Sequence, residues 1–570
     1  MAGRFAVAGR RFAAAIAMLL TAAAPGKDGE LTPQTALSGG PTDPDQAKLR
    51  FDTADLAIEV LPERQAIAAV ATLRFTARAP VQVLVLDLDR NLPVRGVRIG
   101  DVALAAGRWS NPDGRLRIQL PAMQPAGAEI VARIDYGGVP HVARRAPWDG
   151  GFVWSHTADG KPWIATAVQG EGCDLFWPCI DQPDQEARAV TLHLTVPAGL
   201  AAPSNGRLLG VDRLPDGRST WHWRAAHPTN YGIALNIGPY VQIAGDYQSR
   251  FGNAVPMSFW HLPGREVQAR ELFAEFAPTL DFFETVIGPY PFADEKVGVV
   301  ETPHLGMEHQ TINAYGNNYR KAAEGFDWLF HHEFAHEWFA NQLTAANWDD
   351  FWLHEGFASY MQPLYGRWRE GEGRYLAMML TQREQIANQF PIVSGKPQAA
   401  EQVYDRVKGP GSDIYYKASW MLHTLRGLIG DEAFFEATRR LVYGRPDPQP
   451  GNFQPRYGST AEFQRIVNQV SGRDLGWFFD VYLREAALPR LIEQRDEAGL
   501  TLTWQAPGGK PFPMPVEVSV DGRVQTVAMA EGRGQIALPA RAHIVIDPMS
   551  RILRHSDAVE RLQAQRARGS

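Results

Sequence analysis

A pair of histidines at helical spacing constrains this chain more than any other feature of its sequence. The segment reads His332-Glu333-Phe334-Ala335-His336. Positions i and i+4 share one face of an α-helix, so the two imidazoles can converge on one metal ion. Apolar residues on both sides of the segment favour the helical state. Taken alone, these five residues are equally compatible with two structural histidines on a buried helix, because so short a motif also occurs by chance.

A carboxylate follows at a distance that suits a second helix. Glu355 comes after eighteen intervening residues, within the segment Trp352–Ala358. Zn²⁺ accepts imidazole nitrogen and carboxylate oxygen, and a catalytic zinc site combines three protein ligands with one open position. We therefore expect His332, His336 and Glu355 to hold one Zn²⁺ per chain. Glu333 is then placed to act as a general base.

The 570 residues are too many for one hydrophobic core, so several domains are expected. Short alternating runs between turns predict an N-terminal β domain of saddle or sandwich type over 48–245. Helical periodicity predicts an α-rich catalytic domain over 246–487, and alternating valines predict a small β-sandwich over 488–557. Residues 25–47 predict a flexible leader, and 558–570 a polar tail. The expected fold class is multidomain α+β.

The N-terminal residues predict export. Arg4, Arg10 and Arg11 precede an apolar run of 13 residues, Phe12–Ala24. This pattern is typical of a cleaved signal peptide, here over 1–24, and predicts a periplasmic or secreted protein. The run is too short to cross a bilayer, and no transmembrane segment is expected in the mature chain. A disordered, alanine-rich N-terminus on a cytosolic protein is the alternative.

The two cysteines and the net charge limit the metal ligands and the partners that this chain can have. Cys173 and Cys179 are the only cysteines, and they can either form a disulfide in an oxidising compartment or remain two buried thiols. Two cysteines do not form a cysteine-rich zinc site, so a metal must use histidines and carboxylates. The net charge of -6 gives no reason to expect a nucleic-acid partner.

Around these motifs the sequence resembles the gluzincin zinc aminopeptidases, the family that includes the alanyl aminopeptidases and leukotriene A hydrolase. That family joins a His-Glu-x-x-His helix to a glutamate in a Trp-Leu-Asn-Glu-Gly-Phe-Ala frame, from which this chain departs at His354. The resemblance implies a β saddle domain, a thermolysin-like catalytic domain and a small β-sandwich. The large helical C-terminal domain of many members is not expected in this chain.

The resemblance also implies how a substrate amine is recognised. A family strand of the type Gly-x-Met-Glu-Asn corresponds to residues around Gly306, Met307 and Glu308, with Leu305 and His309 as departures. Its glutamate pairs with the free ammonium of the substrate. Gly306 and Met307 lie on the strand along which a peptide would extend.

A second family segment, Gln-x-Glu, corresponds to Gln169-Gly170-Glu171. The resemblance places Glu171 beside Glu308 and Gln169 in the same pocket. The partners expected for the chain are therefore peptides with free N-termini.

A tyrosine completes the expected site. The family has a Tyr-x-Lys-Gly-Ala frame whose phenol stabilises the oxyanion, and Tyr415 occupies it, 60 residues after Glu355. Ala418 replaces the usual glycine, which leaves Tyr416 as an alternative register. Glu337, Asp349 and Asp350 are candidates to orient the ligating histidines, whereas His331 is expected to face away from the metal.

The expected function is a zinc-dependent aminopeptidase that uses metal-activated water and Glu333 as general base. A thermolysin-type endopeptidase shares the three ligands, but Glu308 and Glu171 argue against it. Epoxide hydrolysis, known in one family member, has no specific support in this sequence. A catalytically silent peptide-binding protein on the same scaffold is the rival from another class, although the ligands, the base and the tyrosine are all retained.

Overall fold

The computed structural model describes residues 30–321, 323, 325–451, 454–539 and 541–569. The predicted signal peptide, residues 1–24, lies outside these ranges. Within them, no helix combines the length and the apolar character needed to cross a membrane.

The N-terminal region is built from β-sheets, as predicted. Its strands are β1 (Leu49–Leu61), β2 (Ala66–Ala77), β3 (Val81–Asp87), β4 (Val94–Ile99), β5 (Val102–Ala103), β6 (Trp109–Ser110), β7 (Arg115–Gln124), β8 (Glu129–Gly138), β9 (Gly151–His156), β10 (Pro162–Ala167), β11 (Ala189–Val196), β12 (Arg207–Arg213), β13 (Ser219–Ala226) and β14 (Asn236–Ile237). An eight-stranded sheet has the order β12-β13-β11-β1-β2-β8-β4-β5, and two three-stranded sheets have the orders β3-β7-β6 and β14-β10-β9.

Alternation along β1, a central strand of the large sheet, shows which face of the strand packs into the core. Leu56, Ile58 and Val60 are buried, whereas Asp55 between two buried neighbours is exposed. Successive side chains of a strand point to opposite faces, so one face of β1 packs into the core. β1 pairs antiparallel with β2 and parallel with β11.

The part of the predicted leader that the structure describes, from residue 30 onward, has buried residues at several positions and is packed rather than flexible there. Gln46 is buried and donates a hydrogen bond from Nε2 to Oδ2 of Asp87 at 2.6 Å. Gly39 has a φ of 70°, and a Cβ atom at this position would lie 2.2 Å from the indole Nε1 of Trp348. The polar composition that predicted flexibility instead supplies side chains that hydrogen-bond to the N-terminal β region, as Ser38 does to Asp181.

The predicted catalytic region begins with a pair of strands, the first of which crosses the predicted domain boundary. Its elements are β15 (Val241–Gln248), β16 (Ala254–His261), α1 (Glu266–Phe273), α2 (Phe276–Val286), β17 (Val297–Glu301), β18 (Gly306–Met307), β19 (Asn313–Tyr315), α3 (Trp328–Ala335), β20 (Leu343–Ala345), α4 (Trp352–Glu370), α5 (Glu372–Arg383), α6 (Ala400–Tyr404), α7 (Tyr416–Ile429), α8 (Asp431–Tyr443), β21 (Arg456–Gly458), α9 (Thr460–Ser471) and α10 (Gly476–Leu483). The main sheet has the order β15-β16-β17-β19-β18, so this region begins a few residues before the predicted boundary.

A small C-terminal β region closes the chain, as the alternating valines predict. Its elements are β22 (Arg490–Asp496), β23 (Gly499–Gln505), β24 (Val516–Val520), β25 (Arg523–Val527), β26 (Arg533–Ile536), β27 (Ile544–Ile546) and α11 (Asp557–Gly569). Asp521 and Gly522 join β24 to β25 with φ values of 49° and 84°. Two residues with positive φ are what a tight hairpin turn requires. The predicted polar tail is helical, and Gln563 within it hydrogen-bonds to the carbonyls of Glu384 and Ile386.

Candidate metal centre

The three predicted ligands meet in one cluster between α3 and α4. The Nε2 atoms of His332 and His336 are 3.3 Å apart, and they lie 3.3 and 3.5 Å from Oε2 of Glu355. The three ligand atoms all lie within 4.8 Å of one another. The structure therefore brings together residues that are separated by 18 positions of intervening chain.

Local structure places these ligands. The Asp327 side chain caps the start of α3 by accepting the N–H of Phe330 at 3.0 Å. α3 ends at Ala335, and the chain leaves helical geometry at Phe339 and Ala340. This bend turns the carbonyl of Phe339 onto Nδ1 of His336 at 2.9 Å. A backbone acceptor on Nδ1 leaves Nε2 of the same ring available as a metal ligand.

The donor set fits a zinc ion. Oε2 of Glu355 is buried and has no hydrogen-bond partner among the described residues, although it faces both imidazoles. The other oxygen, Oε1, accepts the hydroxyl of Tyr404 at 3.1 Å. A buried carboxylate oxygen without a donor is costly unless a cation binds it. Two imidazole nitrogens and one carboxylate oxygen are the ligand set of catalytic zinc sites.

The expected general base lies beside this cluster. Glu333 is buried on α3, and burial raises its pKa well above the usual value, as does the nearby carboxylate of Glu308. Gly306 of β18 lies against it, since a Cβ atom there would be 2.5 Å from Oε1 of Glu333. The side chains of Glu308, Glu333 and His336 place one ligand atom each within 4.8 Å of one another.

Two residues of the N-terminal region hold the predicted amine anchor. Glu308 is buried, and its Oε1 accepts the hydroxyl of Tyr231 at 3.2 Å and a short hydrogen bond from Nε2 of Gln169. Gln169 therefore lies in the same pocket as Glu308. Tyr231 was missed at the sequence level, because it belongs to none of the recognised motifs.

Glu171, which was expected beside Glu308, has a hydrogen-bond partner within the N-terminal region. Its carboxylate accepts the backbone N–H of Gly150, and burial raises its pKa to about 7, with the carboxylates of Asp149 and Glu401 adding to the effect. The contacts with Glu308 come instead from Gln169 and Tyr231. The N–H of Gly150 supplies the donor that a buried carboxylate needs, and the position of Glu171 beside Glu308 stays a prediction.

The predicted tyrosine lies next to the metal ligands. The ring of Tyr415 stacks near that of His332, with centroids 6.1 Å apart. Its hydroxyl is within hydrogen-bonding reach of Glu355 and of Tyr404. The hydroxyl of Tyr404, at the end of α6, also lies 2.9 Å from Oε1 of Gln169, so that its one hydrogen is shared between Gln169 and Glu355. No sequence signal pointed to Tyr404, since it lies outside every recognised frame.

Three further histidines in this region, His331, His354 and His309, are buried. His331 is buried against the ring of Tyr365 at 4.6 Å, and burial lowers its pKa to about 3, as expected for a residue that faces away from the metal. His354 accepts the backbone N–H of Ala345 on Nε2 at 2.8 Å. His309 is buried and its pKa is lowered to about 3 by burial and by the neighbouring His304.

The carboxylates proposed to orient the ligating histidines have other partners. Glu337 accepts the N–H of Thr311 and the amide of Asn313. Asp349 accepts the N–H groups of Ser394 and Gly395, and Asp350 accepts that of Thr460. The prediction was wrong for His336, where a backbone carbonyl takes the role because the bend after α3 brings it within reach.

Comparison with known proteins finds similarity to peptidases, in agreement with the geometry of the site. Residues 295–482 match the model of the peptidase family M1 domain. Aminopeptidase N of Haemonchus contortus is 23% identical over 484 residues, which cover 78% of this chain and 45% of that protein. Aminopeptidase Ey of Gallus gallus is 27% identical over 234 residues, which cover 38% of this chain and 24% of that protein.

A solved structure shares the fold. An M1 zinc metallopeptidase from Deinococcus radiodurans, a mutant bound to a Tyr-Ser-Ala substrate, superposes with a TM-score of 0.63 at 23% sequence identity. The alignment covers 78% of this chain and 95% of that chain.

The fold and the donor set together define a zinc peptidase domain of the two-histidine, one-glutamate class. The comparisons specify it further: residues 295–482 match the peptidase family M1 domain, and the chain is similar to aminopeptidases and to an M1 zinc metallopeptidase. The matched region spans less than half of the length of the curated relatives named above.

Proposed function

We propose that the protein is a zinc-dependent aminopeptidase that removes N-terminal residues from peptides. The observation that carries the proposal is the position of Glu308. This buried carboxylate lies within 4.8 Å of ligand atoms of Glu333 and His336, which places an ammonium anchor at a short, fixed distance from the metal ligands. An endopeptidase must leave this space open for the preceding residue of its substrate, so the arrangement favours exopeptidase activity.

The side chains of the site divide the chemistry among them. A zinc ion held by His332, His336 and Glu355 supplies Lewis acidity to a carbonyl and to water. Glu308 pairs with the substrate ammonium and fixes the first peptide carbonyl near the ligands. Glu333 takes a proton from water and returns it to the departing amine. The hydroxyl of Tyr415 donates a hydrogen bond to the oxygen on which negative charge develops.

The sheet offers a place for the peptide backbone. β18, with Gly306 and Met307, is the last strand of the five-stranded sheet and pairs antiparallel with β19. An extended peptide can add to the outer edge of such a strand through backbone hydrogen bonds. This binding mode would direct the substrate N-terminus toward Glu308.

The first test uses purified full-length protein and aminoacyl fluorogenic substrates. We expect release of the fluorophore, loss of activity with a chelator and recovery with zinc. Glu333→Gln should retain zinc and lose turnover, which separates a missing base from a missing metal. A protein that binds zinc but hydrolyses none of a full panel would instead be a silent peptide-binding scaffold.

The second test separates exopeptidase from endopeptidase activity. Peptides with a free amine should be cleaved, whereas the same peptides with an acetylated N-terminus should not. Glu308→Gln should raise the KM of free-amine substrates more than it lowers kcat, because it removes the charge that pairs with the ammonium. Equal cleavage of free and acetylated peptides would refute the exopeptidase assignment.

We also propose that the protein works in an oxidising compartment, in the periplasm or outside the cell. Cys173 and Cys179 form a disulfide bond, and structural disulfides persist in such compartments. The signal-peptide pattern at residues 1–24 supports the same location. Cell fractionation with thiol labelling tests it: the protein should be found in the exported fraction with both cysteines resistant to alkylation until reduced.

A further inference from the structure

Tyr404 occupies a junction between the two halves of the site. It is the last residue of α6, and its hydroxyl lies 2.9 Å from Oε1 of Gln169 and 3.1 Å from Oε1 of Glu355. Gln169 belongs to the N-terminal β region, whereas Glu355 is the carboxylate of the metal ligand set. One phenol therefore contacts a residue of the amine pocket and a metal ligand at the same time.

A continuous series of hydrogen bonds passes through this hydroxyl. Tyr231 and Gln169 both donate to Oε1 of Glu308, and Tyr404 donates to the other end of the Gln169 amide. Tyr404 also faces Oε1 of Glu355, the oxygen that does not face the imidazoles. The amine anchor and the metal ligand are thus linked through two side chains.

The chemistry of the amide makes the position of Tyr404 consequential. An amide group has an oxygen that accepts and an NH₂ group that donates. Only the orientation with NH₂ toward Glu308 lets Gln169 donate to that carboxylate beside Tyr231, and the reverse orientation would bring an oxygen against it. A phenol O–H on the amide oxygen stabilises the productive orientation of Gln169.

The backbone around α6 holds Tyr404 in place. The N–H of Ala400 at the start of this helix donates to the carbonyl of Ser38 at 3.2 Å. The ring of Tyr404 packs edge-on against Phe351, with centroids 5.2 Å apart. The packed leader and the residue preceding α4 therefore fix the position of the hydroxyl, and the ring contact does not depend on that hydroxyl.

We propose that Tyr404 is a positioning residue that couples substrate-amine recognition to metal binding. The single hydrogen of its hydroxyl is shared between two acceptors: Oε1 of Glu355, which leaves Oε2 facing the histidines, and Oε1 of Gln169, which keeps the amide NH₂ toward Glu308. The effect on substrate rests on the proposed aminopeptidase function, whereas the effect on the metal does not.

Tyr404→Phe tests the proposal, because it removes the hydroxyl and keeps the ring that packs on Phe351. Tyr457→Phe is a matched control: its hydroxyl donates to the buried carboxylate of Glu186 at 3.2 Å, between the same two regions and away from the metal ligands. Zinc affinity is measured by competition with a chromogenic chelator on the full chain. KM and kcat are measured with a free-amine aminoacyl substrate.

We expect Tyr404→Phe to weaken zinc binding by about tenfold, the effect typical of losing a hydrogen-bond partner of a ligand. KM should rise by a larger factor than kcat falls, because Gln169 and Glu308 act on the bound amine. The control should change neither quantity. A zinc affinity within about twofold of the wild type, or an equal loss in the control, would overturn the role at Glu355.

The two proposals fail in different ways. Weaker zinc binding with an unchanged KM would overturn the coupling to Gln169. A wild-type chain that is inactive on every free-amine substrate would refute the aminopeptidase function, while the zinc competition would still decide whether Tyr404 orients Glu355. Unchanged zinc affinity in an enzyme that requires a free amine would refute the Tyr404 proposal alone.

Discussion

Gly356 and Ala418 form a close contact between α4 and α7 beside the metal ligands. Gly356 follows Glu355 directly in α4, and Ala418 lies in α7. A Cβ atom on Gly356 would lie 2.6 Å from Cβ of Ala418 and 3.3 Å from the carbonyl of Ile414. Two carbon atoms normally approach to about 3.5–4.0 Å, so Gly356→Ala must separate the helices by about 1 Å.

The free-energy cost of this substitution follows from two opposing effects. Overpacking a buried contact costs about 1–3 kcal/mol, and replacing glycine by alanine within a helix regains about 1 kcal/mol. With the overpacking cost taken at about 2 kcal/mol, we expect Gly356→Ala to destabilise the catalytic domain by about 1 kcal/mol, or a fall in Tm of about 2–4 °C. Zinc affinity should also fall, because the neighbouring residue Glu355 moves with the backbone.

The second substitution makes the prediction specific. Ala418→Gly alone should destabilise by about 1–2 kcal/mol, through lost helix propensity and one lost buried methyl group. In the double variant the clash is absent, so its stability should exceed the sum of the single effects by about 2 kcal/mol. Gly373→Ala, on α5 with open space around the added methyl, is the control and should be neutral or stabilising.

Calorimetry and chelator competition on the wild type and the four variants measure these quantities. A double variant no more stable than the sum of the single effects would refute the reasoning, because the loss in Gly356→Ala would then not arise from the contact with Ala418. Unchanged stability in Gly356→Ala would refute it more directly.

Two further predictions concern stability. Burial raises the pKa of Glu186 to about 8 from 4.5, so the folded protein keeps a proton that the unfolded chain releases, and stability should fall as the pH rises from about 5 to about 8. Glu186→Gln cannot ionise and should weaken this dependence of Tm on pH, whereas an unchanged slope would assign it to other groups. Replacing Cys173 and Cys179 together by serine should lower stability by about 2–3 kcal/mol, the usual effect of opening a short disulfide loop. Reducing the disulfide of the wild type should lower its Tm to that of the serine variant, whose own Tm should not change under reduction. A serine variant as stable as the wild type would contradict the prediction.

The metal ligands illustrate how far a sequence pattern reaches. The i, i+4 histidines define a shared helix face, and the glutamate after a short connection lies on the next helix, so the three ligands could be named before the structure was known. The tyrosine of the site was found through its frame, and its ring lies beside His332. The polar leader was misjudged, because composition does not reveal which polar groups find buried partners.

The sequence alone determined three local properties: the alternation of buried residues in β1, the Asp521-Gly522 turn, and the helical spacing of His332 and His336. Each depends on residues a few positions apart, whose geometry the backbone imposes. The tertiary structure alone decided the contacts of Tyr404 with Gln169, 235 positions away, and the turn of Glu171 toward Gly150. Such contacts depend on how separate domains pack, and no local periodicity records that packing.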